Sequence, residues 1–181
     1  MAEFSQRLRE LGYQVTFTDL NPNSVAHASS LGFESHQIDF NLGLPGIDDA
    51  GFDAVVMLEV IEHIVNAEHL LSEVRRVLKP GGVLVLSTPN FAWWYNRLRI
   101  LSGRLSHDEG YHYRFFTRRS LERQLRVAGL QPEAWQFSSP AYGVNRLRRK
   151  VWGKGRVSVL VPGSTGPLLG QTLFVRARAG R

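Results

Sequence analysis

Apolar positions along the chain switch between two spacings, and the switches mark out the elements. Phe4, Leu8 and Leu11 stand at i, i+4 and i+7, one stripe of a helix over residues 3–11, and Gly12 follows where a left-handed cap is wanted. Residues 13–18 alternate with β-branched and aromatic side chains and predict a strand ending at Asp19. Asn21 and Pro22 supply an N-cap and a first-turn proline for a short helix that Gly32 closes, and residues 33–38 predict another short strand. A loop rich in Gly, Pro and Asp then leads into residues 52–58, a continuous apolar run that suits a strand buried on both faces. Leu70, Leu71, Val74, Val77 and Leu78 form the next helical stripe, with Arg75, Arg76 and Lys79 near its C-terminus, where the helix dipole favours cations. Pro80, Gly81 and Gly82 stop that helix, and residues 83–87 predict a second buried strand.

After residues 88–90 the regular spacing gives way to an aromatic, arginine-rich stretch, and a lid-like insertion is expected over about residues 91–116. Thr117 caps a helix with Leu121, Leu125 and Ala128 on one face and Gly129 at its end, and residues 134–137 predict a strand. Residues 138–168 read as a long loop with one short strand at 157–161, and residues 171–176 as the last strand. Strands alternating with helices place the chain in the α/β class, as a doubly wound sheet in a single domain over residues 1–181.

Composition narrows the chemistry. With 181 residues, 43% of them hydrophobic, the chain can bury one sizeable core. The absence of cysteine excludes disulfides, thiolate metal sites and a cysteine nucleophile. Its apolar runs fall far short of the ~20 residues a membrane span needs, and the N-terminus lacks the apolar core of a secretion signal. A cytoplasmic protein is expected, with peripheral membrane contact through the basic, aromatic segment 91–105. The net charge of +6 is unevenly placed: residues 1–90 carry 5 Lys/Arg against 12 Asp/Glu, and residues 91–181 carry 17 against 4. Such a basic half can steer an anionic partner or simply keep the protein in solution. The Arg146–Lys150 cluster with Trp152 suits phosphate, but no nucleic-acid-binding module accompanies it, and nucleic acid is not an expected partner.

In an open parallel sheet, ligands bind beyond the carboxyl ends of the strands. Asp19, with Leu20 beside it, ends the first strand, where an acidic side chain accepts the hydroxyl hydrogens of a ribose or serves as an ordinary turn residue. Asp39 and Phe40 follow the next strand, where a carboxylate can accept an exocyclic amine and a ring can stack, or where both can be plain loop residues. Leu58 and Glu59 close the apolar strand, a place for backbone and a carboxylate to hold an amino-acid tail.

Two runs carry a resemblance. Residues 51–64, Gly-Phe-Asp-Ala-Val-Val-Met-Leu-Glu-Val-Ile-Glu-His-Ile, and residues 77–90, Val-Leu-Lys-Pro-Gly-Gly-Val-Leu-Val-Leu-Ser-Thr-Pro-Asn, closely resemble class I S-adenosylmethionine-dependent methyltransferases of the small-molecule branch that includes ubiquinone-biosynthesis O-methyltransferases. The spacing from Asp19 to Asp39 to Glu59 and the run His112-Tyr113-Arg114-Phe115-Phe116-Thr117 are similar too. The resemblance spans roughly residues 3–137. It implies a seven-stranded Rossmann-like sheet, S-adenosyl-L-methionine as donor, Asp19 on the ribose with Leu20 also in the cofactor site, Asp39 and Phe40 at the adenine, and Leu58 and Glu59 near the methionine moiety. The family's opening strand and Gly-x-Gly-x-Gly turn have no counterpart before residues 3–11, so an N-terminally incomplete domain is expected.

Methyl transfer from a sulfonium needs positioning above all, and a base where the acceptor must lose a proton. His63 and His112 are the candidate catalytic residues; for His63 a capping or packing role is the alternative. Glu59, Glu62, His63 and His69 lie close in sequence but lack the His-Glu-x-x-His order of a zinc hydrolase, and no metal is expected. Residues 91–101, aromatic beside arginine, suit an apolar or lipid-linked acceptor at a membrane interface, or a helix covering the site. The expected function is transfer of a methyl group to a small-molecule or lipid-linked acceptor at oxygen. The alternative is a catalytically inactive methyltransferase-like subunit that binds a partner.

Overall fold

The computed structural model describes residues 2–104, 112–140, 158–162 and 164–180. They fall into two compact units, Met1–Ile47 and Asp48–Arg181.

In the first unit, α1 (Ala2–Glu10) leads through Gly12 to β1 (Thr16–Asp19), α2 (Pro22–Ser30) and β2 (Glu34–Gln37). The helix boundaries follow the capping signals: Asn21 accepts the N–H of Asn23 with its side chain, and Pro22 opens the helix. β1 and β2 pair in parallel, from Thr16 opposite Glu34 to Asp19 opposite Gln37. The small core is Phe17, Ala28 and Phe33, flanked by Val15 and Leu31. Arg9 lies over the Phe33 ring and donates to the Leu31 carbonyl at 2.7 Å, tying α1 to the end of α2.

The second unit holds β3 (Phe52–Leu58), α3 (Ala67–Val77), β4 (Leu78–Pro89), α4 (Trp94–Leu101), α5 (Arg118–Val127), β5 (Leu130–Pro140), β6 (Ser158–Val161), α6 (Gly166–Leu169) and β7 (Thr172–Ala179). Its sheet runs β3-β4-β7-β5-β6. β3 and β4 are parallel, whereas β7 inserts antiparallel between β4 and β5. The two parallel strands shift register once, from Phe52 opposite Leu78 to Ala54 opposite Val83, and the Pro80-Gly81-Gly82 turn occupies the extra length. The stripe read on α3 is buried throughout, with Leu70, Leu71, Val74 and Val77 against the sheet. Thr117 and Ser120 form a reciprocal capping box at the start of α5, which brings Leu121 and Leu125 to the same core.

Two features differ from the sequence expectation. The apolar run of β3 is not buried on both faces: Met57 is buried, but Ala54 is exposed and Val56 is 37% exposed. Among the described residues β3 pairs only with β4, so it is an edge strand, and an edge strand keeps less cover than a central one. The second is α6, inside a stretch read as loop, where Gly166 and Gly170 lie against the Phe137 ring without room for a Cβ. The expected insertion over 91–116 contains α4, with residues 105–111 outside the described ones, as is the Arg146–Lys150 cluster with Trp152. No helix among the described residues is long and apolar enough to cross a membrane.

Candidate functional site

In the first unit, the parallel pairing brings the carboxyl ends of β1 and β2 together. The Ile38 N–H donates to the Asp19 carbonyl at 3.1 Å, and the Gln37 amide donates to the Leu20 carbonyl at 3.2 Å. Asp19, Leu20, Asp39 and Phe40 therefore share one end of this unit. Each aspartate makes an Asx turn: Asp19 Oδ1 accepts the Asn21 N–H at 2.9 Å, and Asp39 Oδ1 accepts the Asn41 N–H at 2.9 Å and its side-chain amide at 3.0 Å. One oxygen thus anchors each carboxylate to its own turn, which holds the side chain in one orientation. Leu20 is exposed, and Phe40 is half-buried at the start of a short 3-10 turn, Phe40–Leu42.

In the second unit, the register that sets Leu58 opposite Ser87 places the residues after β3 beside the end of β4. Glu59 is one of two non-glycine residues with positive φ among those described, at 53°. A left-handed backbone costs a non-glycine residue on the order of 1 kcal/mol and persists where its surroundings hold it, as they do at binding sites. Here Ser87 holds it: the Glu59 N–H donates to the Ser87 carbonyl at 3.1 Å and contacts its Oγ at 3.2 Å, and the Ser87 hydroxyl donates to Glu59 Oε1 at 2.7 Å. The chain then makes a 3-10 turn, Ile61–His63, which carries Glu62 and His63 but not Glu59.

Glu62 is buried, 2% exposed, and burial pushes its carboxyl above the ordinary value. Its Oε2 accepts the Thr88 hydroxyl at 3.0 Å, while its Oε1, equally buried, has no hydrogen-bond partner. The Glu62 carbonyl accepts the N–H groups of Tyr113, at 2.9 Å, and Arg114, at 3.1 Å. Those two bonds bring His112 to the turn, where its ring meets His63 edge-on with centroids 4.8 Å apart. The pair His63 and His112 is thus assembled by the fold, whereas Leu58 and Glu59 stand at the strand end beside it.

Arg114 secures this segment to the start of α3, donating to the Val65 carbonyl at 2.6 Å and to both carboxylate oxygens of Glu68 at 2.8 and 2.9 Å. Partial burial raises the Glu68 carboxyl, but hydrogen bonding from its own backbone amide and from Arg114 outweighs it, and the net shift is downward. A carboxyl lowered on folding contributes stability that is present above its unfolded value, near 4.5, and is lost as pH falls through the lower folded value. Glu68→Gln is therefore expected to lower the melting temperature at pH 7, by a small amount because the pair is partly exposed. The gap to the parent should close on acidification below pH 4.5, as followed by circular dichroism; a pH-independent gap would show that the ion pair is not its source.

Asn90 is a hub that the sequence did not single out. Buried at 1% exposure, it donates through Nδ2 to the carbonyls of Pro167 and Gly170, and its Oδ1 accepts the Ala92 N–H. Ser87, Thr88 and Asn90 lie inside the run 77–90, but nothing in that run assigns them these contacts. Only their place at the end of β4, beside β3, marks them.

The family model for a methyltransferase domain matches residues 2–134. A ubiquinone biosynthesis O-methyltransferase of Xanthomonas oryzae pv. oryzae is 33% identical over 150 residues, an alignment that covers 73% of this chain and 63% of that protein. The chain thus spans under two thirds of that relative's length. Among solved structures, a SAM-dependent methyltransferase from Archaeoglobus fulgidus superposes with a TM-score of 0.67 at 17% identity, covering 97% of this chain and 80% of that one. The 1,6-didemethyltoxoflavin-N1-methyltransferase of Burkholderia thailandensis, solved with S-adenosylhomocysteine, gives 0.58 at 19% identity, covering 98% and 66%.

Proposed function

We propose, because the chain belongs to the methyltransferase-domain family, that it transfers a methyl group from S-adenosylmethionine to an oxygen of a small-molecule or lipid-linked acceptor. One observation carries this reading. Asp19, Leu20, Asp39, Phe40, Leu58 and Glu59 all stand at, or one to three residues beyond, the carboxyl ends of the parallel strands β1, β2 and β3.

The residues present fit the cofactor's polar edges. Asp19 has an anchored carboxylate suited to accept ribose hydroxyls; Asp39 is suited to an exocyclic amine, with Phe40 for the adenine face. Leu58 backbone and the Ser87-held Glu59 suit a charged amino-acid tail. When bound, S-adenosylmethionine supplies a methyl group activated by its positively charged sulfur. The protein's contribution is orientation, exclusion of water and removal of the acceptor's proton. His63 and His112, both half-buried, are the groups to take that proton. The relative named as a ubiquinone biosynthesis O-methyltransferase supports oxygen as the acceptor atom. An apolar or lipid-linked acceptor is supported by α4, which exposes Trp94, Tyr95, Leu98 and Leu101 beside Arg97.

Incubation with S-adenosylmethionine and a panel of phenolic and amine acceptors, short-chain and prenylated, tests the reading by mass spectrometry. O-methylated phenol and S-adenosylhomocysteine are expected, with His112→Ala lowering kcat by ~100-fold or more. Methylation at nitrogen alone would overturn the choice of oxygen. Cofactor binding without turnover of any acceptor would favour the inactive, partner-binding alternative.

A further inference from the structure

We infer that the outer edge of β6, with the exposed apolar side of α6, is a self-association surface. A second copy of the chain docks there, and the two β6 strands pair antiparallel about a two-fold axis. The direction of the backbone groups carries this. Ser138 of β5 stands opposite Leu160 of β6, and the Ser138 carbonyl accepts the Gln171 N–H at 2.8 Å, on the β7 side. Opposite residues of an antiparallel pair exchange both backbone hydrogen bonds or neither. Ser138 and Leu160 therefore exchange neither, and the Leu160 N–H and C=O face outward. Among the described residues β6 pairs with β5 alone, and the Leu160 side chain is 72% exposed.

An outward row of backbone donors and acceptors calls for another strand. A lipid surface offers such groups no partners, so the apolar exposure at this corner is not a membrane anchor. Edge strands are commonly guarded against pairing by lysine or proline, and Ser158–Val161 contains neither. Residues 157–175 contain no charged side chain, although they lie in the half of the chain with 17 Lys/Arg against 4 Asp/Glu. Two copies meeting through the arginine-bearing surfaces of that half would set like charges against one another; at β6 none are opposed.

A two-fold contact is self-complementary and closed, so each edge covers the other. With the axis normal to the sheet, a residue and its symmetry mate lie on the same face. Leu160 then stands directly opposite Leu160 of the partner subunit, and the two exchange both hydrogen bonds. A ladder of four residues covers less than the about 800 Å² per partner of a stable interface. The neighbouring apolar side chains must join it. Val161 is buried opposite Phe137, and α6 rests on the Phe137 ring, so exposed Val159, Leu168 and Leu169 border one another on that face. Asn90 holds the Pro167 and Gly170 carbonyls, so α6 is fixed before the partner arrives, which lowers the cost of docking.

Sedimentation equilibrium of the whole chain across a wide range of concentration tests the contact. Mass should rise from one chain, 20.4 kDa, to two and stop there. Leu160→Lys sets two lysines opposite each other and should weaken association by about 100-fold or more, as should Leu160→Glu. Mixing the two variants should restore the dimer, because the axis then pairs lysine with glutamate. Leu168→Glu should weaken association by about 10-fold. Leu101→Lys, at the most exposed apolar position of α4, should leave it unchanged. Circular dichroism should show both Leu160 variants folded, since the side chain is mostly in water. A chain that stays single throughout, species larger than two, or a dimer indifferent to Leu160→Lys would overturn the inference. So would failure of the mixed variants to associate, or a single chain that cosediments with anionic vesicles through Leu160.

Discussion

Asp19→Ala is expected to weaken S-adenosylmethionine binding by about 10- to 100-fold, roughly 1.4 to 2.7 kcal/mol. The effect is large because the carboxylate is half-buried and already held by the Asn21 N–H, so it meets a ribose hydroxyl without further loss of rotamer freedom. Two contributions are separable. Alanine removes both the acceptor for the ligand and the Asx turn that leads into α2. Asp19→Asn keeps an oxygen for the Asn21 N–H but offers an amide donor where the ribose needs an acceptor. Calorimetric titration should show weakening in both variants, and thermal unfolding should show a stability loss in the alanine variant only. Full affinity in Asp19→Asn would remove Asp19 from the ribose.

Phe137→Ala should lower the stability of the second unit by about 3–5 kcal/mol, the range for emptying an aromatic site in a closed core. Phe137 is fully buried on β5, opposite Val161 of β6 and Leu173 of β7. Gly166 and Gly170 of the α6 region press their backbones on its ring; a Cβ at Gly170 would stand 2.6 Å from Phe137 Cβ. The void left by alanine is bounded by backbone on that side, which cannot collapse into it as side chains do. The reverse change, Gly166→Ala, overfills the same place and should cost about 1–3 kcal/mol. Because Asn90 holds the Pro167 and Gly170 carbonyls, a shift of α6 reaches the end of β4. Chemical denaturation read by tryptophan fluorescence checks both values; a change below about 1 kcal/mol for Phe137→Ala would mean that the ring is not enclosed.

Much of the fold was legible because its signals are local. Capping at Asn21 and Thr117, the stripe on α3 and the apolar runs of β3 and β4 each act within a few residues, and all appear where periodicity placed them. The errors have local causes as well. A four-residue helix such as α6 is too short to show a period. The composition of β3 records how buried a strand can be, not whether neighbours are paired on both of its edges.

By itself the sequence determined which residues close the parallel strands, and so singled out Asp19, Asp39 and Glu59, because strand length and turn chemistry are near-neighbour properties. Only the tertiary structure decided what stands beside them. Pairing of β3 with β4 brings Ser87 to Glu59 and Thr88 to Glu62, and two backbone hydrogen bonds to the Glu62 carbonyl bring His112 to His63. The residues close in the chain, Glu59, Glu62, His63 and His69, differ from the group the fold assembles, Glu62, His63 and His112. Ligand geometry depends on distance in space, and hydrogen bonding between remote backbone segments, which leaves no periodic trace in sequence, sets that distance.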